Sequence, residues 1–192
     1  YLSDMSDQLD TVLKPNKFNV LVSDTGMGKS TYAIKHLIKN PKYKSPILIM
    51  PLTIIKDEFV EKLINDIALD VNIELQSHDL LILSNPDQKK KITICTYHHF
   101  AHHFHTLLVK PDLIIWDEVH WLTSYHWAAE LTATLHLIIR HARYEGITMI
   151  GLTATPGPLL FFPRWFFIDL IVTVKTNLKV PPQTIIIYKL LD

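Results

Sequence analysis

Phe18-Asn19-Val20-Leu21-Val22-Ser23-Asp24-Thr25-Gly26-Met27-Gly28-Lys29-Ser30-Thr31 is the stretch on which the reading of this chain turns. Phe18 to Val22 is short and mostly apolar, which predicts a buried strand. Lys29 to Lys39 carries Tyr32, Ile34, Leu37 and Ile38 broadly at helical spacing, until Asn40-Pro41 stops the helix. A strand, a glycine-containing turn and a helix N-terminus together make a phosphate cradle, because backbone N–H groups converge on the anion and the helix dipole favours it. Lys29 would add a point charge on the β- and γ-phosphates and the Ser30 hydroxyl would ligate Mg²⁺, with Thr25, Gly26, Met27, Gly28 and Thr31 completing the cofactor contacts. The eight-residue pattern for such a loop asks for glycine at Ser23, where a small residue can still make the turn.

Outward from this stretch, strands alternate with helices. Ser6 to Leu13 predicts a short amphipathic helix ended by Pro15. Ser45 to Met50 predicts a second buried strand, leaving through Pro51-Leu52-Thr53, where Thr53 can cap a helix with Ile54, Ile55, Phe59, Leu63, Ile64 and Ile67 on its apolar side. Val71 to Leu83 reads as one or two short strands around Ser77-His78-Asp79. Ser84 to Lys91 reads as a polar loop with a solvated lysine run. Ile92 to Thr96 predicts a strand, then a His-rich helical stretch to Leu108. Leu113-Ile114-Ile115-Trp116 is a wholly apolar strand, and a long helix follows from Ser124 to Tyr144, closed by Gly146. Ile147 to Leu152 is a strand entering Thr153-Ala154-Thr155-Pro156. Val172 to Leu191 reads as strand, turn and strand heading out of the domain. Apolar strands alternating with helices predict a mostly parallel α/β sheet covered on both faces. With no repeat or linker, the reading is a single domain over residues 1–192.

The second chemical constellation is Asp117-Glu118-Val119-His120, directly after the apolar strand. A carboxylate at a strand's C-terminal end faces the ligand crevice of an open α/β sheet. Asp117 could hold Mg²⁺ through water, while Glu118 could orient and deprotonate an attacking water. An Asp-Glu pair alone would read as an exposed loop; the phosphate cradle upstream favours the catalytic reading, since phosphoryl transfer needs positioned phosphates, a metal and a placed nucleophile.

Composition sets the frame. A chain that is 48% hydrophobic and 20% charged is globular. A formal net charge of zero gives no bulk electrostatic support for nucleic-acid binding, although a local groove could still be basic. One cysteine, Cys95, excludes an internal disulfide and leans towards a reducing, intracellular compartment, cytoplasmic or nuclear. The start at Tyr1 has no initiator Met or signal-peptide pattern and reads as a cut or processed end. The longest apolar run is broken by Pro163, Arg164 and Asp169, too early to span a bilayer.

Taken together, these segments resemble the first RecA-like motor domain of the superfamily 2 helicases, DExH-box branch. Thr25-Gly26-Met27-Gly28-Lys29-Ser30 resembles motif I, Asp117-Glu118-Val119-His120 motif II and Thr153-Ala154-Thr155 motif III. Pro51-Leu52-Thr53 lies where motif Ia is expected, and Thr96-Tyr97 resembles motif Ib. Gln8 could be the adenine-contacting glutamine. The resemblance covers roughly Gln8 to Pro156 and implies a RecA-like P-loop NTPase with sheet order 5-1-4-3-2. It further implies ATP and Mg²⁺ as cofactors, Asp117 on the metal and Glu118 as general base. His120, Thr153 and Thr155 would relay nucleotide state. Pro51, Thr53, Thr96 and Tyr97 would touch the backbone of one nucleic-acid strand, DNA or RNA, which would suit a neutral chain.

The chain also departs from that family. A second RecA-like domain normally supplies arginine fingers, and here only Arg140, Arg143 and Arg164 occur, none in such a pattern. The expectation is a domain that binds nucleotide, hydrolyses it slowly and does not unwind alone. The alternative is a nucleotide-gated switch module that never processes nucleic acid. His98, His99, His102, His103 and His105 offer i,i+4 pairs of the kind that bind Zn²⁺, but no nearby cysteine or well-spaced acid completes a tetrahedral set. They read instead as exposed neutral histidines beside the strand-binding edge. Leu159 to Phe162 and Trp165 to Ile168 read as core or, if exposed, as the face for a second domain or a partner.

Overall fold

The computed structural model describes residues 1–51, 61, 72–86, 89–106, 110–123, 129–160, 167–175 and 184–189. The helix expected after Thr53 and residues 124–128 and 161–166 lie outside these.

Among the described residues nine strands form one sheet: β1 (Phe18–Ser23), β2 (Pro46–Met50), β3 (Asn72–Gln76), β4 (Leu80–Asn85), β5 (Lys90–Thr96), β6 (Leu113–Trp116), β7 (Thr148–Thr153), β8 (Leu170–Lys175) and β9 (Thr184–Lys189). Their order is β3-β4-β5-β2-β6-β7-β1-β8-β9. Every pairing from β5 across to β8 is parallel, and the hairpins β3–β4 and β8–β9 add antiparallel strands at the two edges. Taking β1, β2, β6, β7 and β8 as strands 1 to 5, the order is 5-1-4-3-2, as the resemblance implies; β5 is a further parallel strand outside β2.

Side chains along each strand point alternately to two cores. Leu21, Leu48 and Ile115 face one, which is closed by α1 (Ser6–Val12) and by the segment after the phosphate loop. Val20, Ile49 and Trp116 face the other, under α3 (Tyr97–His103) and α4 (Ala129–Tyr144). Both faces are therefore covered, which is why β1, β2, β6 and β7 are buried at every position and read as continuous apolar runs. The helix expected over Lys29–Lys39 forms one α turn, α2 (Lys29–Tyr32), and then widens to π geometry over Ala33–Ile38.

Two expectations are corrected. The C-terminal strand pair does not leave the domain. β8 pairs in parallel with β1, and β9 turns back on β8. The lysine run is not simply solvated. Lys90 is 2% exposed, and its ammonium donates to the carbonyls of Ile38 and Asn40, at the end of the helical segment where a cation is favoured. Lys91 pairs with Glu74 at 3.0 Å, across the β3–β4–β5 edge. The apolar stretch read as core is buried at Leu159 and Ile168. No helix among the described residues is long and apolar enough to cross a membrane.

Candidate active site

Parallel strands bring their C-terminal ends to one edge, and the two constellations meet there. β7 lies between β1 and β6, with Val22 opposite Thr153 and Trp116 opposite Gly151. The phosphate loop leaving β1 and the acids leaving β6 thus flank Thr153. Gly26 and Gly28 both sit at φ 81°, in the left-handed region that a side chain disfavours, and the space beside Gly26 is open. Thr25 and Gly26 are exposed, while Met27, Gly28, Lys29, Ser30 and Thr31 are half-buried. The Lys29 ammonium folds back onto the loop, donating to the carbonyls of Ser23 at 3.2 Å and Asp24 at 3.3 Å. From outside, the N-terminal turn braces the loop: Leu2 N–H donates to the Met27 carbonyl at 3.0 Å, and the Tyr1 ring lies beside Gly28.

The acid side is buried and cross-braced. Asp117 is 7% exposed, and its backbone N–H donates to the carbonyl of Ile49 on β2 at 2.9 Å. Burial pushes its carboxyl up to about 6, and the Glu118 charge adds to that; a backbone hydrogen bond from Glu118 and the Lys29 ammonium pull the other way. Glu118 adopts φ 48°, a conformation rare for a residue with a side chain and of the kind that collects at functional sites. Its Oε2 accepts from the Thr153 hydroxyl at 3.5 Å and lies 3.3 Å from His120 Nδ1. The same ring nitrogen is 3.0 Å from Thr153 Oγ1 and 3.3 Å from Thr155 Oγ1, and the Thr155 N–H donates to Thr153 Oγ1 at 3.1 Å. Glu118, His120, Thr153 and Thr155 are one hydrogen-bonded cluster. The turn that carries His120 rests on Gly151, where a Cβ would come within 2.9 Å of the Val119 side chain.

The residues expected on the strand side sit differently from one another. Pro51 is buried and Thr53 lies outside the described residues. Thr96 caps α3, its hydroxyl accepting from the His99 N–H at 3.2 Å. The Tyr97 ring is fully buried, and its hydroxyl donates to the Asp117 carbonyl at 2.9 Å. Burial, then the charges of Asp117 and Glu118, drive that phenol well above its usual range, so it remains a neutral donor. Tyr97 stands behind the acids rather than on the surface, a link that local sequence cannot signal because 20 residues separate the partners. Gln8 is exposed on α1. Arg143 is held by Asp169 at 2.7 Å and the Phe167 carbonyl at 3.1 Å, Arg140 is exposed, and Arg164 lies outside the described residues.

The donor set fits a magnesium nucleotide. A hydroxyl and two carboxylates are hard oxygen ligands, and Asp117 is a buried acid whose charge calls for a cation. This sheet, with a glycine-bearing phosphate loop after β1 and acids after β6, defines a RecA-like nucleotide-binding domain of the superfamily 2 helicase type. The chain belongs to the family described as Type III restriction enzyme, res subunit, which matches residues 2–157. Among curated proteins, none matches the chain. Solved structures share the fold. The Hef helicase domain of Pyrococcus furiosus is 16% identical with a TM-score of 0.57, the match covering 82% of this chain and 35% of that one. A KaiC-like protein from Pyrococcus horikoshii OT3 is 13% identical with a TM-score of 0.57, over 92% and 80%. The ATP-dependent Type ISP restriction-modification enzyme LlaBIII, bound to DNA, is 15% identical with a TM-score of 0.56, over 98% and 14%. The chain thus spans about a third of the Hef domain structure and a seventh of the restriction enzyme.

Proposed function

We propose that the chain is the DExH-type, ATP-hydrolysing half of a DNA translocase or helicase, completed by a second RecA-like domain. The observation that carries this reading is the shared edge: the loop bearing Lys29 and the Asp117–Glu118 pair leave the two strands on either side of β7. The N–H groups of Gly26, Met27 and Gly28 bind the phosphates, with Thr25 and Thr31 beside them. Lys29 exchanges its loop carbonyls for the β- and γ-phosphates. Ser30 and Asp117 would hold Mg²⁺, which when bound neutralises charge on the phosphates. Glu118 accepts the proton of the attacking water. His120, Thr153 and Thr155 feel any change in the Glu118 carboxylate and pass it to β7 and the strand side, where the segments at Pro51, Thr53, Thr96 and Tyr97 offer backbone groups to phosphates. The family description and the DNA-bound restriction enzyme support DNA rather than RNA as the polymer.

Of the described arginines, Arg143 is tied to Asp169 and Arg140 is exposed on α4, and neither is placed as a finger, a group worth about 10³–10⁵ in rate in comparable NTPases. The expected outcome is tight, magnesium-dependent ATP binding with slow hydrolysis. The test is phosphate release by the chain with and without DNA, beside a nucleotide-binding titration. Failure to bind ATP would overturn the reading, and brisk DNA-stimulated turnover would overturn the need for a second domain.

A further inference from the structure

Four histidines not used above lie on α3, immediately after its Thr96 cap. Tyr97, Phe100 and Ala101 bury one face of this helix, leaving His98, His102 and His103 exposed and His99 half-buried. The His98 and His102 rings are 4.5 Å apart and the His99 and His103 rings 4.4 Å, making two close, tilted i,i+4 pairs side by side. α3 leaves the end of β5 on the same sheet edge as the phosphate loop and Asp117. The β3–β4 turn meets its first residues. Asp79 Oδ1 accepts from the Thr96 hydroxyl at 3.4 Å and lies 3.3 Å from His78 Nδ1. At the far end stand His105, His141 of α4, and Lys110, which pairs with Glu145. Among the described residues, no three His, Cys, Asp or Glu side chains converge as metal ligands. Among the described residues on this four-histidine face, imidazole is the group that can supply positive charge.

We propose that this histidine ladder is a proton-gated docking surface for the sugar–phosphate backbone of a DNA strand, weak while the rings are neutral and stronger as they take up protons. The inference rests on the DNA reading above and adds to it a regulated affinity. At 4.5 and 4.4 Å the two rings of each pair are close enough to share one phosphate, and the two neighbouring pairs can hold successive phosphates of one strand. An imidazolium N–H donates a charge-assisted hydrogen bond to a phosphate oxygen, which a neutral ring does far more weakly. With formal net charge zero when histidines are neutral, the chain has little background attraction to mask the effect. Burial and the neighbouring histidines hold His99 below its ordinary range, and Asp79 pulls it back up. A bound phosphate favours the charged ring, so binding takes up protons and affinity rises as pH falls.

The test is fluorescence anisotropy of a labelled oligodeoxythymidylate of about 20 nucleotides, at about pH 7.5 and about pH 6, over a salt series. The expected result is about ten-fold tighter binding at the lower pH, with a salt slope steeper by about 1.4 to 2 as two or three phosphates are engaged. His98→Gln/His99→Gln/His102→Gln/His103→Gln, checked for an unchanged melting temperature, loses the acid enhancement. His98→Lys/His102→Lys binds more tightly at the higher pH and responds less to acid. His105→Gln/His141→Gln keeps the full response. A wild-type affinity that is flat with pH, or an acid response surviving in the four-glutamine variant, overturns the ladder and leaves the DNA reading standing. No binding at either pH overturns both.

Discussion

The phosphate loop and the acid edge face each other across β7, yet they are built in opposite ways. The loop is open, its tip exposed, its lysine parked on its own carbonyls. The acid edge is buried, with Asp117 tied to β2 through its N–H and to Tyr97 through its carbonyl, and Glu118 locked to His120 and Thr153. Backbone N–H groups of an open loop cost nothing to keep hydrated until an anion arrives. A catalytic carboxylate must be aimed beforehand, and aiming it means burying charge beside charge. The loop should therefore govern affinity and the acid edge the rate.

Replacing Glu118 by Gln is the harshest test of that division. Hydrolysis should fall by about 10²–10⁴, as for loss of a general base, while ATP affinity and melting temperature stay put. Lys29→Ala should do the reverse at first order, weakening ATP binding about 10- to 100-fold through loss of charge-assisted contacts. Single-turnover rates together with nucleotide titrations separate the two. Equal loss of affinity in both variants would erase the distinction.

Asp117→Asn asks what the buried charge costs. The folded pKa, about 6, lies above the ordinary value of 3.8, so the folded chain holds the extra proton between them. Stability contributed by the protonated form is thus full below about pH 4 and lost as pH rises through about 6, a difference of about 3 kcal/mol if the whole shift is realised. Asparagine, uncharged throughout, should stabilise the nucleotide-free chain by about 1–3 kcal/mol at neutral pH and hardly at all near pH 4, while abolishing hydrolysis. Denaturant melts at the two pH values read this directly. A destabilised variant at neutral pH would mean that the carboxylate holds the edge together rather than straining it.

Much of this architecture is legible in local sequence because its strands are buried on both faces. Phe18–Ser23, Pro46–Met50 and Leu113–Trp116 are apolar nearly throughout, and the loop and acid motifs stand at strand exits where the order of strands brings them together. What local pattern cannot carry is pairing between distant residues. Lys90 looks like one of three solvated lysines until helix-end carbonyls 50 and 52 residues away claim its ammonium. The strands at Leu170–Lys175 and Thr184–Lys189 look like an exit from the domain until β1 is found to lack a neighbour on that side without them. Tyr97 looks like a surface contact until its ring is found packed on Trp116, with its hydroxyl behind Asp117.

That hydroxyl offers a milder test of the rigid side. Tyr97→Phe keeps the ring and removes one buried donor, leaving the Asp117 carbonyl short of a partner. The expected cost is about 1–2 kcal/mol of stability, with a loss of hydrolysis that exceeds any loss of ATP affinity. If affinity fell instead, positioning of Asp117 would matter to binding as much as to rate.

Ser23 gives the smallest effect and the sharpest reading of the open side. It occupies the place where the strict loop pattern has glycine, is 2% exposed, and its hydroxyl has no hydrogen-bond partner among the described residues. Its carbonyl, not its side chain, is what Lys29 holds. A buried hydroxyl left unpaired is unfavourable, so Ser23→Ala should raise stability by about 0.5–1 kcal/mol, or about 1–4 °C in Tm for a chain of this size. Ser23→Gly, which restores the strict pattern, should instead lower stability by about 0.5–1 kcal/mol, because a strand residue loses its side chain and gains freedom when unfolded. Neither should change ATP affinity if the loop binds through its backbone and Lys29 alone. A rise in affinity for glycine but not for alanine would show that the Cβ crowds the cradle; a drop for both would give the hydroxyl a part in holding the phosphates.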